Sequence, residues 1–98
     1  MFVNIIKSYR ITIAICDSEL IGKYFEEGDF QLDVKEKFFK GEEMSEDEVG
    51  ELMSKMSAED ATFNIVGEKS VGLALKSGLV SEEAVKKIQG IPFILVLG

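Results

Sequence analysis

The chain has no histidine and no tryptophan, one cysteine (Cys16) and one proline (Pro92) among its 98 residues. Without an imidazole there is no Ser-His-Asp triad and no histidine general base. One cysteine excludes a disulfide within the chain. With no histidine beside it, zinc sites built on these two residue types are excluded as well. Such sparing cysteine use fits a reducing compartment. With no histidine to activate it, Cys16 among apolar neighbours reads as a small buried hydrophobe rather than a nucleophile. No apolar run approaches the roughly 18 residues of a membrane span. Met1 to Arg10 lacks the basic lead, long apolar stretch and small-residue cleavage site of a signal peptide. A cytoplasmic location and no membrane contact are therefore expected. The length leaves room for one domain, residues 1–98.

What is present is an ordinary globular share of apolar residues, 46%, and an excess of acids over bases, 18 against 11, for a net charge of −7. The charge is segregated. Residues 1–16 carry +2, residues 17–41 carry −3, residues 42–60 carry −7 and residues 61–98 carry +1. The acidic segment reads first as a solvated helix face that keeps the chain soluble, and second as a docking surface for a basic partner such as a ribosomal protein. A polyphosphate backbone would be repelled by the whole unless the bases cluster, so non-specific nucleic-acid binding is disfavoured.

Hydrophobic periodicity divides the chain into elements. Phe2–Lys7 and the alternating Ile11–Cys16 read as a β-hairpin, with Ile11, Ile13 and Ile15 on one face and the small Thr12, Ala14 and Cys16 on the other. Asp17 is placed to cap a short helical turn that stops at Gly22. Glu26–Asp29 reads as a turn. Phe30–Lys35 alternates, with Phe30, Leu32 and Val34 inward. Lys37–Gly41 reads as an irregular apolar anchor. Ser45 and Glu48 fit a capping box, followed by an apolar stripe of Val49, Leu52, Met53 and Met56. Ala61–Val66 precedes a second helix over residues 67–77, ended by Gly78, with Leu79 folding back over its last turn. A short helical turn opens at Ser81, Val85–Gln89 reads as a strand, and Gly90-Ile91-Pro92 reads as a turn. The continuously apolar Phe93–Leu97 is expected to be a strand buried on both faces.

Few patterns carry chemistry. Gly67-Glu68-Lys69-Ser70 is similar to the tail of a phosphate loop, but Glu68 stands where glycine is needed, as does Phe63 five residues earlier. A weaker anion site is left open, because Gly67 would place free N–H groups at a helix start. The neighbouring acid pairs Glu26-Glu27, Glu42-Glu43 and Glu82-Glu83 point apart and form no acid/base couple. No calcium-loop pattern is present, and the motifs call for no metal and no cofactor. The remaining candidates at strand–helix junctions, where open sheets place ligands, are Asp17, Lys23, Asn64, Gly67 and Lys69. Each also has a purely structural reading as a cap, a turn or a close approach.

Three segments together, Cys16-Asp17-Ser18-Glu19-Leu20-Ile21-Gly22-Lys23, Asn64-Ile65-Val66-Gly67-Glu68-Lys69-Ser70-Val71 and Gly90-Ile91-Pro92, resemble the archaeal domain-of-unknown-function family 424, over nearly the whole chain. The resemblance implies a small mixed fold, a cytoplasmic archaeal protein and a translation or RNA-processing setting, and it supplies no reaction. Phe93 departs from the polar residue, often histidine, expected there in relatives, which removes any role of that side chain.

The expected fold is α+β: a small mixed, mostly antiparallel sheet of four or five strands with two main helices packed on it. Phe30, Leu32, Val34, Val49, Leu52, Leu75, Ile94 and Val96 are expected in the core. Three functional readings stand. The first is a non-enzymatic accessory factor of translation or RNA metabolism that binds RNA or a ribonucleoprotein partner through Lys7, Arg10, Lys23 and Lys69. The second is a small ligand-binding domain or enzyme with a pocket around Asp17, Lys23 and Asn64. The third is a homo-oligomeric scaffold subunit that assembles through Phe38, Phe39 and the C-terminal strand.

Overall fold

The computed structural model describes residues 1–97. Its centre is a six-stranded mixed sheet. The long strands are β1 (Phe2–Lys7), β2 (Ile11–Cys16), β6 (Thr62–Val66) and β8 (Ile91–Val96), joined by two short edge strands, β5 (Glu42–Glu43) and β7 (Lys86–Ile88). The order is β5-β1-β2-β6-β8-β7, and β3 (Tyr24–Glu27) and β4 (Phe30–Asp33) form a separate hairpin. All pairings in the large sheet are antiparallel except β2 with β6. This is the α+β, mostly antiparallel architecture read from the sequence. The sheet has six strands rather than four or five: the two-residue edge strand β5 is too short for pattern to resolve, whereas β7 falls within the strand read over 85–89.

Alternation on β2 sorts the core into two layers. Ile13 and Ile15 enter one cluster with Phe63 and Ile65 of β6, covered by α2 (Glu46–Met56) through Val49 and Met53 and by α3 (Glu68–Lys76) through Val71 and Ala74. Ala14 and Cys16 enter the other with Leu32, Val34, Phe39 and Val66. Small residues on that face let the β3–β4 hairpin and the one-turn helix α1 (Glu36–Phe39) lie close, and Asn4 anchors α1 by donating from Nδ2 to the Phe38 carbonyl at 2.8 Å.

The helix signals hold. Ser45 accepts from the Glu48 N–H and Glu48 accepts from the Ser45 N–H, a complete capping box on α2. Gly78, at φ 80°, ends α3, and the Leu79 N–H reaches back to the Ala74 carbonyl, a glycine stop of the kind expected.

Several expectations are corrected. Phe30 is 71% exposed. It sits next to the turn of an isolated hairpin where only Leu32 of β4 reaches the core. Leu52, Leu75 and Val96 pack at the margin of the core rather than inside it. The C-terminal strand begins at Ile91, with the turn at Gln89–Gly90 and Pro92 inside the strand. It is not buried on both faces: Leu95 is 56% and Leu97 75% exposed. The second layer stops short of them, because the hairpin and α1 cover only the half of that sheet face nearest Cys16.

Candidate functional site

The parallel pairing of β2 with β6 brings two strand ends together. Cys16 lies beside Val66, and the chain leaves the sheet at Asp17 and at Gly67. The Asp17 N–H donates to the Val66 carbonyl at 3.0 Å, and the Gly67 N–H donates to the Pro92 carbonyl at 2.9 Å. These bonds hold both exits against the sheet.

Asp17 does not cap the turn that follows it. Residues Ser18–Leu20 form one 3-10 turn with no side-chain cap. The carboxylate points instead to the start of α3. Oδ2 accepts from the Lys69 N–H at 3.0 Å, and Oδ1 accepts from the Ser70 N–H at 2.8 Å and from the Ser70 hydroxyl at 2.7 Å. Asp17 is 3% and Ser70 0% exposed. The strand–helix distance that sequence reasoning bridged locally is thus spanned from a remote part of the chain. A carboxylate there satisfies orphan helix N–H groups and the positive end of the helix together.

Gly67 makes the approach possible. It sits at φ 112°, ψ 155°, a conformation essentially reserved for glycine. A Cβ there would lie 2.6 Å from each carboxylate oxygen of Asp17. The helix start left open for an anion is therefore already occupied by the chain's own carboxylate.

The other candidates separate. Lys69 gives its backbone N–H to Asp17, and its side chain lies at the surface. Lys23 is exposed, and its carbonyl accepts from the Val34 N–H at the base of the β3–β4 hairpin. Asn64 sits on the opposite sheet face, in the register row Asn4, Ala14, Asn64, Leu95. There it lines a cleft of about 280 Å³ between Phe38, Phe39 and Phe93. Lys7 and Arg10 flank the β1–β2 turn, at the far end of β2 from Asp17. The structure thus joins Asp17, Gly67 and the Lys69 backbone, and sets Asn64, Lys23 and the Lys7–Arg10 pair in three other places.

Cys16 is fully buried beside Asp17. Desolvation, then the neighbouring carboxylate, pushes its thiol up to about 11. It stays protonated and unreactive at neutral pH. Among the described residues no three acidic or cysteine side chains converge to hold a metal ion. No helix in the described residues is long and apolar enough to cross a membrane.

Sequence reasoning missed Ser70, because its role depends on a partner that only tertiary structure supplies. It also missed a cleft of about 450 Å³ beside α3, floored by Val71, Leu75, Val85 and Pro92 with Glu68, Glu82 and Lys87 lining it. No local spacing links its two walls.

A family model described as "Protein of unknown function (DUF424)" matches residues 7–97. No curated protein matches the chain. A solved structure, that of an uncharacterized conserved protein from Methanopyrus kandleri, superposes with a TM-score of 0.81 at 21% identity, covering 97% of this chain and 88% of that one. At that identity the likeness is one of fold.

Proposed function

The chain belongs to the DUF424 family of proteins of unknown function, and from that premise we propose that it is a non-enzymatic accessory factor of translation or RNA metabolism that works by binding a ribonucleoprotein partner. One observation carries the reading. The buried carboxylate at the strand–helix junction, where an enzyme of this architecture would keep its chemistry, holds three hydrogen bonds within the chain. The thiol beside it is sealed and protonated. The surface is what remains to work with.

The distribution of charge favours a ribonucleoprotein over bare RNA. Lys7 and Arg10 stand at one end of β2, Lys69 lies at the start of α3 at the other, and Lys23 sits at the base of the β3–β4 hairpin. Three separated basic points on a chain of net charge −7 do not make a continuous track for a phosphate backbone. They do suit an assembly that offers basic protein surface to the acidic segment 42–60 and RNA at its margins.

A tagged pull-down from native lysate, with and without RNase, tests this. Ribosomal or other ribonucleoprotein components are expected, and charge reversal at all four basic residues should reduce their recovery. Recovery of the bait alone, or recovery indifferent to the charge reversal, sinks the proposal. Asn64 in its cleft favours a second reading, a small-ligand domain, which a thermal-shift screen against Asn64→Ala would pursue.

A further inference from the structure

The two edges of the large sheet are guarded differently. On β1, β5 pairs with Phe2 and Val3, and beyond it the edge carries Lys7. On β8, β7 pairs with Ile91, Pro92 and Phe93 only, so among the described residues Ile94–Val96 has a hydrogen-bonded strand on one side alone. No charged residue lies between Lys87 and Leu97. An unpaired apolar edge strand without a charge, a bulge or a cover is a template for another strand.

We propose that the open half of β8 is a self-association edge that pairs antiparallel with the same segment of a second copy, joining two sheets into one. The second copy is the occupant that charge complementarity favours. The β8 edge carries no charge of its own to oppose a second chain of net charge −7, and the two-fold pairing brings bases of one copy to acids of the other.

The register follows from what is already in place. Strand β7 blocks the outer side of β8 as far as Phe93, so an incoming strand pairs only beyond it. Residues facing each other across an antiparallel pair share a sheet face. A two-fold axis normal to the sheet then sets Val96 against Val96 of the second copy, and Leu95 against its Leu97. Leu95 and Leu97, 56% and 75% exposed in the single chain, cover each other on the face that the hairpin and α1 leave bare.

The same register carries Lys86 and Lys87 of each copy past the end of the other copy's β8. There the turn leading into β6 holds the exposed Glu59 and Asp60. Opposite charges thus flank an apolar centre, once on each side of the axis. The paired segment is short, which places the dimer among weak, concentration-dependent interfaces.

Sedimentation across a concentration series, together with oxidation of a Val96→Cys variant, tests the inference. Cross-strand partners lie within the Cα separation that a disulfide spans, and the buried Cys16 does not compete. A reversible dimer, its loss in a Leu95→Lys variant with an unchanged circular-dichroism spectrum, and a disulfide-linked dimer of Val96→Cys are expected. Ser54→Cys, exposed on α2, serves as the control that does not cross-link at the same rate. A monomer at every concentration overturns the proposal, as does a dimer indifferent to Leu95→Lys with Val96→Cys no faster to cross-link than the control.

Discussion

Asp17 is the residue on which the junction of β2, β6 and α3 depends. Its three bonds within the chain are charge-assisted, and truncation leaves the Lys69 and Ser70 donors without a partner in a largely dry site. Asp17→Ala is therefore expected to destabilise the fold by about 3 kcal/mol or more. Gly67→Ala should cost about 2 kcal/mol through backbone strain alone, with the collision against Asp17 added. Urea unfolding of both variants measures this, and near-native stability in either would show that the Asp17 bonds do not hold the junction together. Cys16 gives a second check at this scale. The folded-state thiol is raised above its unfolded value, so its contribution to stability is present at neutral pH and lost as the pH rises through the folded value. A thiol reagent should modify Cys16 only at the rate of unfolding. The sequence placed Asp17, Gly67 and Lys69 at a strand–helix junction correctly. It could not say that the aspartate serves the second helix, because nothing local distinguishes a cap for the next turn from a cap for a helix far along the chain.

Among the elements, α2 was the most legible, since capping boxes and apolar stripes are written in adjacent residues. It is also improvable. Gly50 has nothing within 4 Å of where a Cβ would stand, so Gly50→Ala should stabilise the protein by up to about 1 kcal/mol. A fall in the urea midpoint would contradict that. Bonds from the Ser45 N–H and hydroxyl hold the Glu48 carboxyl below its usual value. Its contribution is present above its unfolded-state pKa and fades as the pH drops through the lowered folded-state value. The stability of Glu48→Gln should therefore converge on the parent in acid and fall below it near neutrality. Strands were read less well. The alternation Phe30, Leu32, Val34 is a true signal of a half-buried strand, yet Phe30 is exposed because its hairpin reaches past the sheet. Phe30→Ser should change stability by no more than about 0.5 kcal/mol. For Phe93–Leu97, unbroken apolar character predicts burial on two faces, yet Leu95 and Leu97 are exposed, because a strand at an uncovered margin of the sheet can be equally apolar.

For the whole molecule, the sheet and its two helices form the secure part, and the β3–β4 hairpin is attached to it. A two-stranded hairpin is marginal by itself. This one is tied on by Leu32 and Phe25, which pack into the second core layer, and by Gln89, whose N–H and side-chain amide donate to Glu27 and to the Glu26 carbonyl at 2.7 and 2.6 Å. Amide hydrogens of Tyr24–Asp33 should exchange well before those of β2 and β6, which hydrogen-exchange mass spectrometry would resolve; equal protection would make the hairpin part of the core. The fold class was legible because the periodicities of β1, β2, α2 and α3 were clear. Which strands meet was not, because the one parallel pairing joins segments that no local pattern connects. That pairing also bears on how the chain is made. The β1–β2 hairpin can close as soon as it is synthesised, but β6 and the helix that Asp17 caps arrive much later, Lys69 lying 52 residues further on. Until then one edge of β2 waits unpaired. Closing that long loop is an entropic cost met before any of its contacts form. The central sheet should thus complete late and nearly at once, with β8 joining only after β6 is in place.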